Sequence, residues 1–127
     1  MRFPRFALAV AALGLIAPQV VAAHTQLVSS SPAANVRVAA PTKIELRFNE
    51  AVIGATARAT ISMTGMPGMA NHAPMAITGF TAQMGKDRKS MTLLLRRPLT
   101  AGTYLVTWTA AGADTHRMSG TFSFTVR

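Results

Sequence analysis

Lys43-Ile44-Glu45-Leu46-Arg47-Phe48 alternates charged and apolar residues with a period of two. In an extended chain that period sends Ile44, Leu46 and Phe48 to one face, toward a core, and the three charged residues to solvent. The same alternation returns at Met91, Leu93 and Leu95, in Thr103-Tyr104-Leu105-Val106-Thr107-Trp108, and in Thr121-Phe122-Ser123-Phe124-Thr125-Val126. Working outward from these runs predicts seven strands, at 25–31, 42–48, 57–64, 74–80, 90–96, 102–110 and 119–126. No segment keeps a helical period over the ~10 residues that a helix requires. Seven short strands separated by Gly and Pro signals predict an all-β fold, an immunoglobulin-like sandwich or Greek-key barrel. Pro98-Leu99-Thr100-Ala101-Gly102 supplies the turn into the sixth strand. Tyr104, just inside it, is positioned for a tyrosine-corner contact, and Trp108 reads as a core side chain.

The 127-residue chain suits a single domain. Its first segment carries Arg2 and Arg5, an apolar run, then Val21-Ala22-Ala23, the order of a secretory signal peptide cleaved after Ala23. Pro18 and Gln19 interrupt the apolar run, which is short beside the ~20 residues of a membrane span. The expected organisation is therefore a signal peptide at 1–23 and one folded domain at 24–127. The chain has no cysteine, so neither a disulfide nor a thiolate metal ligand is available. Any metal must be held by imidazole, carboxylate or thioether. The formal charge of +9 falls to +7 without Arg2 and Arg5. Export argues against nucleic acid as the target, and the charges are spread, as on a solvated surface.

Two clusters carry the chemistry. Met63, Met66, Met69, His72 and Met75 recur at every third position in a loop punctuated by Gly65, Pro67, Gly68 and Pro74. Half of the chain's eight methionines fall here, outside any strand or helix period. An isolated methionine would read as adaptable packing, and Met63 also fits the inward-facing end of the strand at 57–64. Four thioethers with an imidazole read instead as a soft donor set, suited to Cu(I) and poor for Zn(II), Mg(II) or Ca(II). Met84, Met91 and Met118 lie outside the cluster and take no role.

The second cluster depends on processing. Cleavage after Ala23 makes His24 the terminal residue, offering its α-amine and imidazole together, a nitrogen pair suited to Cu(II). Binding there would displace a proton and weaken as pH falls. Asp114-Thr115-His116 places two further donors on one side of an extended segment. In an up-and-down order of antiparallel strands, His24, Glu50, Asp114 and His116 converge at one pole. The methionine loop falls at the other.

The segments HTQLVSSSPA (24–33), APTKIELRFNE (40–50), MTGMPGMANHAPM (63–75), LTAGTY (99–104) and DTH (114–116) resemble the CopC family of periplasmic copper-resistance proteins. The resemblance spans the whole of 24–127. It implies a cupredoxin-like or immunoglobulin-like barrel with a Cu(II) site and a separate Cu(I) site. Carried over by position, Cu(II) would be held by His24, Asp114 and His116, with Glu50 as a candidate further ligand. Cu(I) would be held by His72 and some of Met63, Met66, Met69 and Met75. Two positions depart from the family pattern: the spacing from Met69 to His72 is one residue longer than in some relatives, and Arg117 stands where relatives often have proline. The resemblance also implies a periplasmic location and a role in copper homeostasis or resistance. The implied partners are copper ions and either a CopD-type inner-membrane transporter or another Met-rich periplasmic copper protein.

The expectation is a carrier rather than an enzyme. Terminal histidine with a second histidine also resembles the copper brace of oxidative polysaccharide-cleaving enzymes. Against that stand a short chain with one Trp and one Tyr, and Asp114 beside the copper, where oxygen activation needs an open position. The remaining alternative is an immunoglobulin-like interaction module without metal.

Overall fold

The computed structural model describes residues 24–127, together with Gly14; the expected signal segment otherwise lies outside the described residues. Nine strands follow in order: β1 Leu27–Ser31, β2 Arg37–Val38, β3 Lys43–Phe48, β4 Arg58–Gly65, β5 Met75–Ile77, β6 Phe80–Met84, β7 Ser90–Leu95, β8 Gly102–Ala111 and β9 Arg117–Val126. A single 3-10 turn, Gly54–Thr56, precedes β4. One sheet has the order β1-β3-β7-β6 and the other β2-β9-β8-β4-β5. Every pairing is antiparallel except the two-residue contact of β2 with β9.

The period-two pattern builds this sandwich directly. Ile44, Leu46 and Phe48 of β3 are buried, as are Met91 and Leu93 of β7, which oppose them across the same sheet. From the other sheet Tyr104, Val106 and Trp108 of β8 and Phe122, Phe124 and Val126 of β9 face them. Trp108 meets Phe48 edge-on at 5.2 Å, and Tyr104 stacks on Phe124 at 5.8 Å, geometries that aromatic pairs favour. The Tyr104 hydroxyl donates to the Thr100 carbonyl at 2.6 Å, which makes the expected tyrosine corner and ties the turn to β8.

The fold class stands, but among the described residues the strand count is nine rather than seven. The segment expected as one strand over 74–80 is two: β5 ends at Ile77 in one sheet, and β6 begins at Phe80 in the other. Thr78-Gly79 makes the crossing, closed by the Phe80 amide donating to the Thr78 carbonyl at 2.9 Å. Alternation cannot register such a crossing, because both pieces remain extended. β2 is too short to carry a period at all.

Strand direction sorts the connections. Residue 24, the 49–57 connection, the β6–β7 turn and the β8–β9 turn share one pole. The β4–β5 loop, the β7–β8 turn and the 32–42 connection share the opposite one. Loss of the corner hydroxyl in Tyr104→Phe strands the Thr100 carbonyl and should cost about 1–2 kcal/mol. Thermal unfolding should then fall by roughly 4–16 °C for a domain of this size; an unchanged midpoint would show that the corner hydrogen bond adds no net stability.

Candidate metal centres

At the pole of residue 24, the β8–β9 turn is built to present donors. The Thr115 amide closes a turn on the Gly112 carbonyl at 2.9 Å, and the Asp114 carboxylate accepts the His116 amide at 3.1 Å. Thr115 has φ 63°, a conformation that β-branched residues rarely adopt and that clusters at functional sites. The remaining oxygen, Asp114 Oδ2, lies 3.4 Å from His24 Nδ1 and 3.7 Å from His116 Nδ1. The two imidazole centroids are 5.8 Å apart. One potential ligand atom from each of the three residues lies within 4.8 Å of the others.

Asp114 Oδ2 is buried and has no hydrogen-bond partner. A buried carboxylate oxygen with two imidazole nitrogens beside it and no hydrogen bond of its own is a donor arrangement that a cation would complete. Two imidazoles and one carboxylate form a nitrogen/oxygen set that suits a divalent first-row ion of the Cu(II) kind.

Residue 24 is held here by contacts with no sequence signature. Asn49 donates through its side-chain amide to the His24 carbonyl at 3.0 Å and accepts the Gln26 amide at 2.8 Å. The Asn49 backbone amide closes the ladder on the Gln26 carbonyl. Thr25, 1% exposed, donates its hydroxyl to Glu50 Oε1 at 2.8 Å. Glu50 thus has one oxygen engaged by Thr25 and is not among the three residues whose ligand atoms cluster together. It also packs against Gly112, where a Cβ would overlap the Glu50 carboxylate and come within 2.9 Å of the Thr25 hydroxyl oxygen. Asn49, Thr25 and Gly112 are missed by sequence reasoning. Their one available signal is adjacency to His24, Glu50 and Asp114.

At the opposite pole, Met66-Pro67-Gly68-Met69 is a tight reversal. Met66 and Met69 exchange both backbone hydrogen bonds at 2.9 Å, and Gly68 takes the positive φ of 79° that the turn requires. Residues paired in this way carry their side chains on one face, so both thioethers leave the hairpin on the same side. Met63 and Met75 are likewise cross-strand partners of β4 and β5. Their settings differ: Met63 is 7% exposed and belongs to the core, whereas Met69 and Met75 are about half exposed. Met66 packs partly against the core.

His72 is oriented by its backbone. Its Nδ1 donates to the Ala73 carbonyl at 2.7 Å, and its amide reaches the Thr64 carbonyl at 3.3 Å. In the neutral ring this leaves Nε2 as the lone-pair nitrogen, buried and without a partner. Metal-binding histidines are commonly fixed by such a donation from the other ring nitrogen. Thioether and imidazole together are a set for a soft monovalent ion.

Fold and donors define a β-sandwich with nitrogen/oxygen donors at one pole and sulfur/nitrogen donors at the other. The chain belongs to the CopC family: the CopC domain model matches residues 27–127. It is 47% identical over 105 residues to "Copper resistance protein C" of Escherichia coli, covering 83% of this chain and 82% of that one. Identity to the protein of the same name in Pseudomonas syringae pv. tomato is 43% over 116 residues, with coverage of 91% and 90%. Among solved structures, PcoC, "a Methionine Rich Copper Resistance Protein from Escherichia coli", superposes with a TM-score of 0.75 at 44% identity, over 83% of this chain and all of that one. These relatives bear the names of resistance proteins, not of enzymes.

Removing the tie to residue 24 tests how this pole is held. Asn49→Ala should speed amide exchange at Gln26 about fivefold, the equivalent of one hydrogen bond of ~1 kcal/mol, and leave β8 protected. Unchanged exchange at Gln26 would mean that Asn49 does not hold the segment.

Proposed function

We propose that this protein is an exported copper-binding protein of the periplasm that serves copper resistance or homeostasis. It is a carrier rather than an enzyme. His24, Asp114 and His116 would take Cu(II), with the α-amine of His24 joining them after cleavage at Ala23. His72, Met66 and Met69 would take Cu(I), with Met75 as a further donor. The observation that carries this reading is the pair of buried, unpartnered donor atoms, Asp114 Oδ2 and His72 Nε2, one in each cluster. The names of the family members support copper as the cargo.

Mechanism in this reading is ligand exchange. Oxidation state selects the pole, because Cu(II) favours nitrogen and oxygen and Cu(I) favours thioether. The poles lie at opposite ends of β8, whose ten residues span roughly 30 Å. One ion cannot be shared between them within a molecule, so each pole exchanges copper with an outside partner. A membrane transporter of the CopD type or another methionine-rich protein would fill that role. Glu50 serves as the support for Thr25 rather than as a primary ligand, and Met63 as a core residue beneath the loop.

Separate titrations test the assignment. The form beginning at His24 should bind Cu(II) with a nitrogen-rich electron paramagnetic resonance signature, and one additional residue before His24 should abolish that signature. Met66→Leu with Met69→Leu should weaken Cu(I) by at least about tenfold, or ~1.4 kcal/mol, and leave Cu(II) unchanged. Equal Cu(II) binding by both amino-terminal forms, or parallel loss of both ions in the methionine variant, would contradict the two-site reading.

A further inference from the structure

The copper sites leave the protein's strong basicity unexplained. Of the Lys and Arg side chains among the described residues, six stand toward the pole of residue 24 and five toward the methionine loop, where only one acid accompanies them. Arg37, Lys43, Arg96, Arg97 and Arg127 all stand at the pole of the methionine loop, and all are exposed. Glu45, the carboxylate side chain nearest that pole, is engaged by Lys43 at 3.2 Å. The other acids, Glu50, Asp87 and Asp114, lie at the far pole. Among the described residues, Arg37, Arg96, Arg97 and Arg127 have no carboxylate partner.

These arginines are arranged around concave surface. Arg37 and Arg127 edge a groove of about 380 Å³ whose wall includes Met66 and Pro67 and whose floor includes Gly102 and Thr103. Arg96 and Arg97 edge a second groove of about 420 Å³ with Ile77 and Leu99, beyond the base of β5. The loop thus contributes Met66 and Pro67 to one concave surface, and two arginines line each of the two grooves.

We infer that this pole is a docking surface for an acidic, extended, methionine-bearing segment of a partner protein, which lies along the Arg37–Arg127 groove and brings its thioethers against Met66. The inference rests on reading the methionine loop as the Cu(I) site. Thioethers are neutral and exert no long-range attraction, and a bound Cu(I) adds positive charge to a face that is already cationic. An acidic partner meets both conditions: its carboxylates are steered by the arginines and bind them bidentately, while charge repels cationic competitors. A concave groove edged by two arginines favours a peptide segment over a flat anionic bilayer. Transfer of Cu(I) would then be a thioether-for-thioether exchange with no change in oxidation state.

The test uses the purified metal-free protein, so that docking is read independently of copper. A short synthetic peptide with two methionines among glutamates is compared with the same peptide carrying lysines for glutamates. Amide chemical shifts and fluorescence anisotropy report binding. The acidic peptide should bind at least about tenfold more tightly, weaken with added salt, and shift Arg37, Met66, Gly102 and Arg127. Arg37→Glu with Arg127→Glu should lose that binding but retain Cu(I) affinity and the native circular dichroism spectrum. Lys86→Glu with Lys89→Glu, at the other pole, should lose nothing. Equal binding of the two peptides, shifts mapping elsewhere, or preference for phosphatidylglycerol vesicles over the peptide would overturn the inference. Failure of the wild-type protein to bind Cu(I) would instead sink the loop's assignment as a copper site, and the peptide comparison would still report the docking surface.

Discussion

The rest of the molecule hangs on β8. It is hydrogen-bonded along its length, by β4 on one side and β9 on the other, and its inward residues run from Tyr104 through Val106 and Trp108 to Ala110 without a gap. A strand paired on both edges and buried on one face has no freedom to slip, because a one-residue shift would turn every core side chain to the wrong face. Its start, at Gly102, lies against Gly65 beneath the methionine loop, and its end, at Ala111, runs straight into the turn that carries Asp114 and His116. One rigid element therefore fixes both donor clusters and the distance between them.

The two poles are finished by different means. At the pole of residue 24, a segment that precedes the first strand is held by side chains. Asn49 and Glu50 achieve this by grasping residues 24–26 through the backbone and the Thr25 hydroxyl, and Gly112 leaves room for that grip directly beneath the ligand turn. The methionine loop instead relies on a hairpin reversal at Pro67-Gly68 that orients two side chains, while leaving Met69 and Met75 half exposed. The first arrangement suits retention of an ion, and the second suits access by another molecule.

Much of this was legible in the sequence, for a physical reason. Alternation in 43–48, 103–108 and 121–126 reports burial directly, and antiparallel connectivity then assigns each loop to a pole. That logic placed His24, Asp114 and His116 together and the methionines apart from them before any coordinates were considered. It could not find the crossing at Thr78-Gly79, since β5 and β6 are both extended and only their partners differ. Nor could it show that Glu50 engages the Thr25 hydroxyl, because sharing a pole does not specify a hydrogen bond. Asn49, the His72 tautomer and the shared face of Met66 and Met69 depend on backbone hydrogen bonds that leave no periodic trace.

The central claim is that oxidation state chooses the end of β8 at which copper binds. Amide nuclear magnetic resonance of one sample, loaded first with Cu(II) and then with Cu(I) after reduction, tests it most directly. Paramagnetic Cu(II) should broaden signals around His24, Asn49 and 112–117 and leave 64–75 sharp. Reduction should restore the first group and shift the second. Broadening of the methionine loop by Cu(II), or retention of Cu(I) beside Asp114, would contradict the account.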